Sequence, residues 1–95
     1  MFIVSLTYVV PLDEVDAMIP AHNAFLDKQY AVGTFLASGA KVPRTGGIIL
    51  ARAESEAALR DILAEDPFHQ TKMAYYDIQE FNPSRTAAGM ELLKV

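Results

Sequence analysis

Residues 2 to 10, FIVSLTYVV, limit the fold more than any other stretch of the chain. β-Branched and aromatic side chains dominate it. Strand alternation sets Phe2, Val4, Leu6 and Tyr8 on one face against Ile3, Ser5, Thr7 and Val9 on the other. Both faces are partly apolar, so both are expected to be covered. The same two-sided character recurs in the short strand candidates TFLASG and GIILARA, and again in KMAYYDIQEF. A single domain of 95 residues with 52% apolar content can cover one sheet face with its own helices. The other face is expected to meet a second sheet, most economically from an identical chain related by a two-fold axis.

Between the strands the hydrophobic period changes. Pro11 stops the first strand, and Asp13 is expected to cap a helix whose first residues, Glu14 and Asp16, suit the positive end of the macrodipole. Pro20 removes one helical hydrogen bond, which predicts a kink or a fresh start with Pro20 at the first helical position. The helix then runs to about Tyr30, with Gly33 near its end. Its inward stripe is Ile19, Phe25, Leu26 and Tyr30, and His22 falls on that stripe.

In AKVPRTGG, Pro43 and the Gly46-Gly47 pair supply turn chemistry for a hairpin. Ser55 is the expected N-cap of a second helix, EAALRDILAE, whose inward stripe is Leu59, Ile62 and Leu63. In DPFHQT, Asp66 before Pro67 has the form of a cap opening one more short turn. The last strand sets Met73, Tyr75, Asp77 and Phe81 opposite Tyr76 and Ile78. The element order is β-α-β-β-α-β, a ferredoxin-like α+β sandwich. The tail, residues 84–95, carries Met90, Leu92, Leu93 and Val95; it is too apolar for a free end and is expected to pack on the partner chain.

Composition narrows the function. Eight Lys and Arg against twelve Asp and Glu leave a net charge of −4 with no basic run, which argues against a nucleic-acid partner. An RNA-recognition module on this topology would also want exposed aromatics on the central strands and a basic rim. With no cysteine, disulfides, thiolate catalysis and Cys-based metal sites are excluded. The opening MFIVSLTYVV has no basic residue ahead of it, is too short to span a bilayer and runs into the acidic PLDEVD. It is read as a strand, with no membrane partner, and a cytoplasmic location is expected.

Two polar residues stand on the inward stripes of the two helices. Asp66 lies three or four residues beyond Ile62 and Leu63 and so continues their stripe. Helices side by side on one sheet face would let it meet His22. A carboxylate bonded to one imidazole nitrogen fixes the tautomer, raises ring basicity and leaves the other nitrogen free to take a substrate proton. Each residue also has an ordinary explanation, His22 as a satisfied core or interface ring and Asp66 as a helix cap. His69, three residues after Asp66, would complete a two-histidine, one-carboxylate metal set, although an exposed His69 suits the spacing equally. Lys41 and Arg44 flank the hairpin and could hold an anionic substrate group, with Ser38 donating a hydrogen bond nearby.

The helix bearing PAH, the turn with Ser38-Gly39, the second helix ending in EDPF and the strand YYDIQEF together resemble the YciI-like (YCII-related) family of the dimeric α+β barrel superfamily. The resemblance spans residues 1–83. It implies a homodimer with two sheets packed back to back and a pocket in each subunit holding a His and an Asp, which map onto His22 and Asp66. Ser38 lies where family members often carry a small polar residue. Ala40 departs from the proline that usually follows the glycine. Among the few activities assigned to the family is lyase chemistry such as dehydrohalogenation of chlorinated hydroquinones. The expected function is therefore a small-molecule enzyme needing no cofactor or metal. His22 acts as general base or acid, Asp66 orients it, and Ser38 and Arg44 bind substrate. The alternative is a non-catalytic dimer that binds a metabolite or a protein.

Overall fold

The computed structural model describes residues 1–94; of the tail residues named above, Val95 lies outside them. Strand β1 (Phe2–Tyr8) leads through helix α1 (Leu12–Ala31) to the hairpin β2 (Phe35–Ala40) and β3 (Gly46–Ala51). Helices α2 (Glu56–Leu63) and α3 (Pro67–Gln70) then precede β4 (Ala74–Glu80). The four strands form one antiparallel sheet in the order β2-β3-β1-β4, the ferredoxin-like arrangement.

Register explains why the helices lie where they do. Val4 pairs with Ile49 and Ile78, Leu6 with Gly47 and Tyr76, and Phe2 with Ala51, so the inward residues of three strands form one continuous apolar surface. Val15 and Phe25 of α1, Leu59 and Leu63 of α2 and Phe68 at α3 bury themselves against it. Each such side chain contributes about 1.5–3 kcal/mol on leaving water. The opposite sheet face carries Ile3 and Ile48, each 39% exposed, and Tyr75 at 64%. The tail approaches that face, where Met90 and Leu93 join Met1, Leu50 and Phe81 around a cavity of about 200 Å³.

Several local expectations are corrected. The first helix begins at Leu12 with Pro11 at the cap position and no side-chain cap; Asp13 lies inside its first turn. The helix then continues through Pro20 without a new start. Pro20 is solvent-exposed, and the inward residues on either side of it, Val15, His22 and Phe25, are buried. That burial offsets the roughly 3 kcal/mol that an interior proline costs. Its inward stripe ends on Gln29, which is buried, rather than on Tyr30, which is 38% exposed. The helix stops in a Schellman arrangement. Gly33 takes φ +81°, its N–H donates to the Tyr30 carbonyl, and the Thr34 N–H donates to that of Gln29. Ser55 caps α2 as expected, accepting from the Ala58 N–H at 3.1 Å.

Gly46 is held for a different reason. A Cβ there would overlap the Leu6 carbonyl on the neighbouring strand, whereas one at Gly39 would meet nothing within 4 Å. Gly46→Ala should therefore destabilise the chain by about 3 kcal/mol or more, since main chain cannot step aside, while Gly39→Ala should stay within about 0.5 kcal/mol of wild type. Denaturant midpoints of the two variants check this.

Candidate active site

Three elements converge beneath β1 and β4. His22 occupies the middle of α1, Asp66 caps α3, and Tyr76 points inward from β4 opposite Leu6. Asp66 is buried because Pro67 at the first helical position fixes the entry to α3, and because the residue before a proline is confined to extended backbone. That geometry turns its side chain back over the α3 N-terminus, where Oδ1 accepts from the Phe68 N–H at 3.0 Å. The same oxygen meets His22 Nδ1 at 2.8 Å. Oδ2 accepts from the Tyr76 hydroxyl at 2.6 Å.

Asp66 is 0% exposed, and both its oxygens already accept hydrogen bonds from Phe68 and Tyr76. The proton between Asp66 and His22 therefore resides on Nδ1, and the neutral imidazole is the tautomer with Nε2 unprotonated. Nε2 makes no hydrogen bond to the described residues, and no buried side-chain nitrogen or oxygen among them lacks a partner. Nε2 consequently keeps contact with solvent, although His22 is only 9% exposed. The ring is held flat by Phe68, stacked at 4.1 Å and 17°, with Phe25 tilted at 6.5 Å. The Tyr76 phenol is pushed well above its ordinary value, first by burial and then by the charge and hydrogen bond of Asp66.

A family model for the YCII-related domain matches residues 1–82. The chain belongs to the YCII-related family. Among solved structures, this YCII-related chain is similar to 5-chloro-2-hydroxyhydroquinone dehydrochlorinase from Burkholderia phenoliruptrix in complex with 2,5-dihydroxybenzoquinone. The TM-score is 0.71 at 18% identity, over 85% of this chain and 93% of that one. At that identity the likeness is one of fold. No curated protein matches the chain by sequence.

The other residues singled out from the sequence separate. Arg44 turns to the helix side, pairing with Asp16 of α1 at 2.5 Å. That hydrogen bond, followed by the Asp16 charge and the nearby Tyr8 phenol, holds its guanidinium pKa above the ordinary value. Tyr8 in turn sets its ring edge-on to Phe68 at 5.8 Å, so Arg44 reaches the dyad's surroundings through Tyr8. Lys41 turns to the opposite sheet face and donates to Thr7 at 3.2 Å, a correction to its expected place beside Arg44. Ser38 bonds to the Tyr30 hydroxyl, joined to His22 only by the ring series Tyr30, Phe35 and Phe25. His69 is exposed with its ring edge on Tyr76 at 5.3 Å, and no metal-holding group of three His, Asp or Glu exists among the described residues. The set of His22, Asp66 and His69 is thus not assembled.

The sequence sets Tyr76 on one face of the last strand beside Ile78, an ordinary place for a tyrosine. The one available signal was a hydroxyl on the inward side of a strand, which is costly unless bonded. A depression of about 750 Å³ around Met1, Arg52, Glu54, Glu80 and Phe81 contains neither His22 nor Asp66. Volume sets what a hollow holds, while proton transfer needs a positioned base, so the dyad remains the candidate centre.

Two outcomes follow from this geometry. Asp66→Ala leaves a buried imidazole N–H and a phenol without an acceptor and removes a cap, and should cost about 3–5 kcal/mol in denaturant unfolding. Tyr76 binds its proton more tightly folded than unfolded. Its contribution is therefore complete below the unfolded value of about 10 and declines as pH rises beyond it. Wild type should lose thermal midpoint as pH rises above about 10, and Tyr76→Phe should flatten that fall.

Proposed function

We propose that this protein is a small-molecule enzyme in which His22 Nε2 removes a proton from substrate and Asp66 holds the ring in the competent tautomer. The observation that carries this reading is the bond between His22 Nδ1 and a buried, otherwise satisfied carboxylate, with Nε2 left unbonded. The reaction class is proton abstraction with elimination or isomerisation. Nε2 takes a proton from an O–H or C–H, the released electron pair forms a new π bond, and a leaving group departs as its anion. In an isomerisation the same proton is returned to a second carbon. Neither route consumes a nucleophile, and the imidazolium formed is stabilised by Asp66. The dehydrochlorinase whose fold this chain shares supports elimination as the first chemistry to examine.

Arg44 is the proposed holder of an anionic or electron-rich substrate group, because its guanidinium stands by Tyr8 at the rim and gives up only an exposed pairing with Asp16 to do so. Ser38 serves a longer substrate, at the cost of its bond to Tyr30. A homodimer is proposed on the apolar open face, where a second sheet would cover Ile3, Ile48 and Tyr75.

The test is turnover of halogenated hydroxyaromatics, with 5-chloro-2-hydroxyhydroquinone first, followed by halide release. His22→Ala should lower kcat by about 10²- to 10⁴-fold with the fold intact by circular dichroism. Halide release that persists at the wild-type rate in His22→Ala would remove the histidine from the chemistry. Tight binding of such compounds without turnover would instead assign the site to ligand capture.

A further inference from the structure

We infer that Tyr76 is a positioning residue: its hydroxyl fixes the rotation of the Asp66 carboxylate and thereby selects the His22 tautomer. The inference deepens the proposed general-base reading and rests on it for its catalytic consequence, while its structural content stands apart.

A carboxylate with one bonded oxygen can still turn about its terminal torsion, which is broad for Asp. Asp66 is bonded at both ends. Oδ1 is fixed by the Phe68 N–H from α3, and Oδ2 by the Tyr76 hydroxyl from β4. Together they define the carboxylate plane and direct Oδ1 at His22 Nδ1. Without Tyr76, Oδ2 is free to seek water or to exchange places with Oδ1, and the His22 bond loses its direction.

The choice of residue supports this role. On β4 the inward positions are Ala74, Tyr76 and Ile78, and Tyr76 packs against the same apolar cluster as its neighbours. Phenylalanine would fill the space without burying a hydroxyl, and a hydroxyl is tolerated there only because Asp66 receives it. The phenol holds its proton tightly, as described above, so it acts as a standing donor and does not carry protons during turnover. Through Asp66 the Tyr76 hydroxyl also ties the start of α3 to the sheet.

The test uses nitrogen NMR of the histidine rings in the full chain, at a pH where the His22 ring is neutral, with no ligand present. Wild type should show His22 almost wholly as the Nδ1–H form. In Tyr76→Phe the ratio of Nδ1–H to Nε2–H should fall on the order of tenfold. Tyr8→Phe removes a phenol that packs on Phe68 without touching Asp66, and should leave the ratio unchanged. An unchanged ratio in Tyr76→Phe, or an equal change in both variants, overturns the proposal. Should Tyr76→Phe not fold, the Tyr76 hydroxyl proton of wild type is observed instead. A slowly exchanging, downfield signal supports the bond to Asp66, and a freely exchanging one overturns it. These readouts involve no substrate, so an absence of turnover counts against the proposed function and leaves the positioning role to be judged by the ring alone.

Discussion

A carboxylate with no exposed surface survives only where donors replace the water it has lost, and Asp66 is in that position. Its three donors come from three elements: a main-chain N–H at α3, an imidazole from α1 and a phenol from β4. Each bond constrains the element it comes from. The α3 turn, only four residues long, is opened by the first; the second pins α1 across the sheet; the third fixes the strand beneath both. Ring packing completes the arrangement, since Phe68 lies flat on His22 and receives the edge of Tyr8. Stability and site geometry are thus the same set of contacts.

One atom of Asp66 makes both of its helix-side contacts. Oδ1 caps α3 and also receives His22, so a helix cap supplies the oxygen that orients the ring. A cap is rigid because the main chain around it is rigid, which makes it a better anchor for an imidazole than a carboxylate on a long, flexible side chain. The hairpin shows a similar economy. Lys41 and Arg44 stand three residues apart, yet one serves each side of the sheet, Lys41 at Thr7 and Arg44 at Asp16. The layer that carries helices holds the His22–Asp66 pair, while the layer that carries exposed Ile3, Ile48 and Tyr75 suits burial by another surface.

Much of this was legible before any coordinates. Alternation in FIVSLTYVV grouped Phe2, Val4 and Leu6 on one face, which proves to be the helix-covered one, and spacing of three and four placed His22 inward on α1 and Asp66 in line with Leu59 and Leu63. Ser55 and Asp66 announced their caps because capping chemistry is local. The misses share a cause. Tyr30 was expected to be buried and Gln29 was not, because a stripe drifts as a helix lengthens and only the neighbouring surface decides which edge of it faces inward. Pro20 signalled a break that packing on both sides of it overrode. Tyr76 gave almost no signal, since a tyrosine on a strand is ordinary.

By itself the sequence determined the element order, the inward faces and the two polar residues that interrupt them, because those depend on period and on caps within a few residues. The tertiary structure alone decided that Tyr76 bonds to Asp66, that Arg44 pairs with Asp16 on the helix side and that Lys41 turns to Thr7 on the other. Those outcomes depend on register between strands and on the depth at which helices settle. Both are set by packing among residues distant in the chain, where no local preference reaches.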